Sequence, residues 1–296
     1  MRIATSTLFD SLERRIQQLT EGLHTVNEKL ASQKKINRPS DNPLGAASAI
    51  GYRNLLSQVD QYGRNLNTGK SWMDSSESAL SLSQDVVTRA KEIAVQMANA
   101  TQSAATRSNM AVEVGHLLDQ AISLGNTQVG GKYIFAGYRT GTAPFEKVNN
   151  GTIDTAQYNG DGNDFQVAIG QGETLAVGRN GQTAYMNSTL FDTLGGLKKA
   201  LDDNNVTGIQ QAMTGLDSTL DHFNDQLADV GARANRLETR QGILQNMTLD
   251  FKEQLSQVED ADIAEMSIEL KQVEMAYQAA LMTTARVGNL SLTNYM

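Results

Sequence analysis

LERRIQQLTEGLHTVNEKL, residues 12–30, decides how the rest of the chain reads: Leu12, Ile16, Leu19, Leu23, Val26 and Leu30 follow one another at spacings of four and three. That period lays a narrow apolar seam along one face of a helix. Arg14, Arg15, Gln17, Gln18 and Glu21 fill the other faces. Toward the opposite end, Met266, Leu270, Val273, Tyr277, Ala280, Thr284 and Val287 repeat the spacing on a helix expected to reach almost to Met296. Each seam is a partner for the other. A lone pair would still leave apolar surface uncovered, which a neighbouring copy could bury. These thirteen residues are therefore the candidate assembly interface. Ordinary core helices of a bundle would show the same period. Strong patterning at both termini, where chains usually fray, argues for order gained on assembly.

Inward from the first seam, the pattern stops at Ile36-Asn37-Arg38-Pro39-Ser40-Asp41-Asn42-Pro43. Two prolines remove backbone donors there, and Ser, Asp and Asn supply turn and capping chemistry. Arg38, Pro39 and Pro43 mark a joint. A second heptad follows: Tyr52, Leu55, Val59, Tyr62, Leu66, Gly69, Met73, Ser76, Leu80, Ser83, Val87, Ala90, Ala94 and Met97. Thr101-Gln102-Ser103 reads as a turn, after which Met110, Val114, Leu117, Ala121 and Leu124 form a shorter helix that folds back antiparallel.

From Val129 to about Met186 glycine and asparagine are frequent, with strand-like runs at 133–135, 165–169 and 174–177. Asn150-Gly151, Asn159-Gly160 and Asn180-Gly181 are the turn pairs of a small antiparallel β domain. Helical pattern returns at Leu190–Leu201, breaks at Asp202-Asp203-Asn204-Asn205 and resumes from Val206 to Val258. Near Glu259-Asp260-Ala261-Asp262 the apolar phase slips by about one residue, as a helix does on changing partner. The expected fold is mainly α with a small β domain: nested long antiparallel helices, the terminal helices paired, and the β domain inserted. The expected domains are a terminal assembly domain (1–46 and 260–296), an inner helical bundle (47–130 and 187–259) and the β insert (131–186).

Composition narrows the classes of function. The 296 residues carry a net charge of −8, and lysines pair only at Lys34-Lys35 and Lys198-Lys199, which argues against a nucleic-acid partner. No apolar run approaches the roughly 20 residues that span a bilayer, so no membrane partner is expected, and the first residues lack the apolar core of a signal peptide. With no cysteine, thiolate chemistry and disulfides are excluded. Few aromatics and abundant Ala, Ser, Gln, Asn and Leu suit slender helices.

No catalytic, cofactor or metal site is expected. His24, His116 and His222 stand on separate helical stretches without a second ligand at helical spacing. Gly130-Gly131-Lys132 lacks the hydroxyl residue and leading glycine of a phosphate loop. Gly160-Asp161-Gly162-Asn163-Asp164 lacks the ligand alternation of an EF-hand and reads as a hairpin turn. Asp217, Asp221, Glu269 and Glu274 form no closed carboxylate pair.

Leu30-Ala31-Ser32-Gln33-Lys34-Lys35-Ile36-Asn37, the stretch from Ala90 to Asn99, and the stretch from Ala276 to Leu292 resemble segments of the flagellin superfamily of bacterial flagellar axial proteins. Three features are similar to the junction class within it, which connects hook to filament, rather than to flagellin proper: Arg38-Pro39-Ser40-Asp41-Asn42-Pro43, Tyr133-Ile134-Phe135-Ala136-Gly137-Tyr138 with Pro144-Phe145, and the ending Asn294-Tyr295-Met296. The resemblance implies a non-enzymatic structural protein of the extracellular flagellum, exported by the flagellar type III system with a cytoplasmic export chaperone. It implies hook-associated protein 1 on the hook side, flagellin on the filament side and self-contacts within a layer. Flagellin proper is the alternative, then a cytoplasmic coiled-coil adaptor; an enzyme carried on the β domain ranks last.

Overall fold

The computed structural model describes residues 2–293. The heptads become helices: α1 (Arg2–Ser32), α2 (Pro43–Met97), α3 (Ala104–Gly125), α4 (Leu190–Asp202), α5 (Val206–Glu259) and α6 (Ile263–Thr293). Contacts divide the chain into two compact units, one of residues 59–246 and one joining residues 1–58 to 247–296.

In the 59–246 unit the second heptad is buried as its period requires. Val59, Leu66, Met73, Ser76, Leu80, Ser83, Val87, Ala90, Ala94 and Met97 face inward from α2, and Ile209, Leu216, Thr219, Phe223, Gln226, Val230, Leu237 and Leu244 from α5. The two helices run antiparallel: Gln84 Nε2 donates to Asn224 Oδ1 at 2.8 Å, and Lys91 pairs with Asp217. α3 folds back along α2, with Arg89 bonded to Glu113 at 2.7 Å. Its first turn is capped by Ser103, whose hydroxyl accepts from Thr106 N–H. At this end the buried Arg107 guanidinium donates to the carbonyls of Met97 and Asn99 and to Asn204, satisfying carbonyls that the end of α2 leaves open.

The β part is three separate antiparallel hairpins. β1 (Gln128–Val129) pairs with β2 (Lys132–Tyr133), β3 (Phe145–Asn149) with β4 (Asp154–Tyr158), and β5 (Gln166–Gly170) with β6 (Glu173–Ala176). Asn150-Gly151 turns the second hairpin, as its composition predicts. Asn159-Gly160 and residues 160–164 instead link β4 to β5, and Asn180-Gly181 leads into a π-helical turn (Gln182–Met186). The hairpin reading of Gly160–Asp164 is thus corrected: Asp161 accepts from the N–H groups of Tyr138 and Asn163, an internal clasp that organises a connector.

Aromatic packing joins hairpins to helices. Phe145, Tyr158, Tyr185, Phe191 and Phe223 meet at centroid distances of 5.2 to 5.9 Å, and Trp72 stacks on Phe165 at 4.5 Å. Tyr185 also shares a hydrogen bond with Ser83 at 3.0 Å. Burial pushes its phenol well above the ordinary range, so it stays neutral. The third hairpin is held to α5 by arginines on one face: Arg240 donates to the Ile169 carbonyl and pairs with Glu173, while Arg233 pairs with Asp164.

Candidate functional site: the paired terminal helices and their joint

The seams meet each other. Ala261 N–H donates to the Gln33 carbonyl, a Cβ built on Gly22 would touch Val273, and Tyr277 lines an open groove of about 680 Å³ with Thr20, Leu23, His24, Asn27 and Glu28. The pairing of later α6 residues with earlier α1 residues makes the helices antiparallel. Leu12, Ile16, Leu19, Leu23, Leu30, Met266, Leu270, Val273, Tyr277, Ala280, Thr284 and Val287 are all half-covered, and Val26 is buried at 4% exposure. Neighbouring residues off the seam are mostly exposed. Two helices thus shield one face of each other without enclosing it.

A second feature of α6 was missed in the heptad reading. Ile268, Met275 and Met282 recur every seven residues on the side opposite the seam, exposed at 60%, 61% and 65%. The corresponding positions of α1 are Arg14, Glu21 and Glu28. α1 therefore has one apolar side and α6 has two. The signal was the seven-residue interval itself, in positions that ordinarily face water.

The joint is built from both strands of the pair. α1 ends where Gln33 enters the left-handed region at φ 58°. Lys35 N–H then donates to the Glu259 carbonyl at 2.8 Å and Ala261 N–H to Gln33 at 3.0 Å, forming a short antiparallel bridge. Lys34 and Arg53 both bind the Glu259 carboxylate, which is buried at 2% exposure. Asp41 accepts from the N–H groups of Asn37 and Arg38. Those two donors, Arg38 first, hold its carboxyl below the usual range. Asn42 caps α2 by accepting from Gly45 N–H, with Pro43 at the first helical position where no donor is needed. Of the three joint residues read from sequence, Arg38 pairs with Glu28 at 3.0 Å, while Pro39 and Pro43 are exposed chain-breakers.

The phase slip at 259–262 proves to be a break between two helices. α5 ends at Glu259, and Asp262 starts α6 by accepting from the N–H groups of Ala264 and Glu265. The ending Asn294-Tyr295-Met296 lies outside the described residues.

His24 is exposed 4.0 Å from Glu28, and His222 bonds the Thr183 carbonyl. Among the described residues no three His, Asp or Glu side chains gather as a metal site, and no helix is long and apolar enough to cross a membrane.

Long heptad helices, a terminal pair with half-covered seams and a small set of inserted β hairpins define a mainly helical, long-helix class of protein. The bacterial flagellin N-terminal helical region matches residues 3–140 and the bacterial flagellin C-terminal helical region matches residues 209–296, together about three quarters of the chain. The chain belongs to the flagellin superfamily. Within it, the chain is similar to flagellar hook-associated protein 3 of Salmonella typhimurium, with 24% identity covering 99% of this chain and 98% of that protein. Flagellar hook-associated protein 3 of Escherichia coli is 25% identical over 88% of this chain and 89% of its own length. Among solved structures, a flagellar hook-associated protein of Vibrio parahaemolyticus superposes with TM-score 0.67 at 19% identity, covering 74% of this chain and all of that one. Hook-associated protein 3 of Legionella pneumophila gives 0.63 at 16% identity, covering 70% and 98%.

Proposed function

We propose that this protein is a structural axial subunit of the bacterial flagellum that forms the junction layer between hook and filament. The observation that carries the mechanism is the terminal pair: of thirteen seam residues only Val26 is buried and twelve are half-covered, and α6 carries an unshared apolar stripe. Each apolar side chain that a neighbour covers contributes about 1.5–3 kcal/mol when fully buried, so association supplies the energy that fixes the terminal helices in place. Full-length similarity to hook-associated protein 3 supports the junction role over that of a bulk filament subunit.

The terminal seams are the assembly interface, and Arg38, Pro39 and Pro43 with the Glu259 bridge form the joint. The partners are hook-associated protein 1 on the hook side, flagellin on the filament side and further copies laterally. A cytoplasmic chaperone shields the apolar α6 before type III export. The role is structural, with no substrate turned over. Flagellin proper is the second reading, favoured by 26% identity to flagellin FlaB1 of Treponema pallidum over 88% of this chain.

The test adds purified protein to isolated hooks bearing hook-associated protein 1, then flagellin, and views the tips by electron microscopy. A single layer required for filament growth is expected. Long filaments from this protein alone would make it a flagellin, and bare tips would remove it from the axial structure.

A further inference from the structure

Three Asn-Gly pairs occur in residues 150–181, and the fold treats their side chains differently. At Asn180-Gly181 both reacting groups are tied down. The buried Asn180 donates its Nδ2 to Asp164 and the Gly162 carbonyl, and Gly181 N–H donates to the Phe135 carbonyl at 2.7 Å. Asn159 is half-buried, its Nδ2 on Glu146, and a Cβ built on Gly160 would lie 2.3 Å from the Tyr158 hydroxyl. Asn150-Gly151, at the tip of the β3–β4 hairpin, is exposed on both residues.

At that tip the Asn150 Oδ1 accepts two backbone N–H groups, from Thr152 and Ile153, each at 3.0 Å. Asn150 is exposed, and Gly151, at φ 88°, has nothing within 4 Å of an added Cβ, so no side chain crowds the turn. Gly151 N–H donates to Asn149 Oδ1, an exposed acceptor that water can replace. Two donors on a carbonyl oxygen stabilise the negative charge that forms there when a nucleophile adds to its carbon.

We propose that Asn150 is a self-modifying site, built to deamidate in the folded protein. Gly151 N, losing its proton to solvent base, attacks Asn150 Cγ; the oxyanion is held by the Thr152 and Ile153 N–H groups. Collapse breaks the Cγ–Nδ2 bond, and the nitrogen leaves as ammonia after taking a proton from water. The cyclic imide is then opened by water at either carbonyl, giving aspartate or the β-linked isoaspartyl residue. The balance is asparagine plus water to acid plus ammonia, with no oxidant or cofactor. The product adds one negative charge beside Asp154, which pairs with Lys198 and Asn149.

The test incubates the full folded chain at mildly alkaline pH beside a denatured sample. Both are sampled over time by peptide mass mapping and by methyl labelling with an isoaspartyl methyltransferase. Asn150 is expected to convert at least as fast folded as denatured, whereas Asn180, reacting only through local opening, falls by about tenfold or more on folding. Asn150→Gln, whose longer side chain must close a six-membered ring, should remove the leading isoaspartyl signal with the helical circular dichroism unchanged. Conversion at Asn150 that is slower folded than denatured, or a leading signal at Asn159 or Asn180, would overturn the assignment.

Discussion

Glu259 accepts two cations on one carboxylate: Lys34 from the end of α1 and Arg53 from α2 both approach its Oε1, and Oε2 is buried without a partner. A buried carboxylate is tolerated only because those cations compensate it. Both cations are about half-exposed, so solvent screens the pair and its loss is modest. Glu259→Ala should lower the stability of the 1–58 and 247–296 unit by about 1–2 kcal/mol. A double-mutant cycle with Arg53→Ala, followed by chemical denaturation, should return a favourable coupling; strict additivity would show that the bridge carries no energy. Asp164 makes a different prediction. Burial alone would raise its pKa, but the Asn180 N–H and then Arg179 and Arg233 outweigh it and bring the value below the ordinary one. The unfolded chain then binds the proton more readily than the fold does. This stability is fully present above the unfolded value, about pH 4, and is lost as pH falls through the lower folded value. Denaturant midpoints should drop on acidification below about pH 4, and Asp164→Asn should flatten that part of the profile while lowering stability at neutral pH.

Among the elements, α4 depends on one absent side chain. A Cβ on Gly195 would lie 1.9 Å from the Asp154 carbonyl oxygen, so α4 approaches β4 closer than any alanine allows. Lys198 from α4 also bonds the Asp154 side chain at 2.6 Å, tying the two elements together. Gly195→Ala should destabilise the 59–246 unit by about 1–3 kcal/mol despite its better helix propensity; a thermal midpoint raised by the substitution would refute the close approach. Gly196→Ala, with open space at that position, is the control. The sequence was legible where one periodicity dominates: α2, α5 and both seams follow from their four-three spacing, and Asn42-Pro43 announces the start of α2. It was poorly legible where burial comes from elsewhere. β3 and β4, Phe145-Glu-Lys-Val-Asn and Asp-Thr-Ala-Gln-Tyr158, show little apolar alternation, and only the Asn-Gly turn between them betrays a hairpin. Glu259 looked like one acid of a polar run because its partner Arg53 is 206 positions away. The outer stripe of α6 escaped because a seam explains only the residues that lie on it.

At the scale of the whole molecule, the two units differ in how they are closed. The 59–246 unit buries an aromatic cluster and two long heptads within itself, whereas the unit of residues 1–58 and 247–296 leaves its seam half-covered and Ile268, Met275 and Met282 in solvent. A core of the first kind melts cooperatively on its own; a helix pair of the second kind has little burial to offset chain entropy. Calorimetry of the isolated protein should therefore resolve a weak transition at low temperature, from the terminal helices, and a stronger one at higher temperature. Leu23→Asp or Leu270→Asp sets a half-buried charge into the seam, costing about 1–3 kcal/mol. Either change should abolish or lower the first transition and leave the second where it was. If the seams fold the ends on assembly, the same variants should also fail to join hooks bearing hook-associated protein 1, although their inner unit is intact. A single transition that both variants shift would mean that one cooperative core spans both units, and normal incorporation would mean that neighbours bind some other surface.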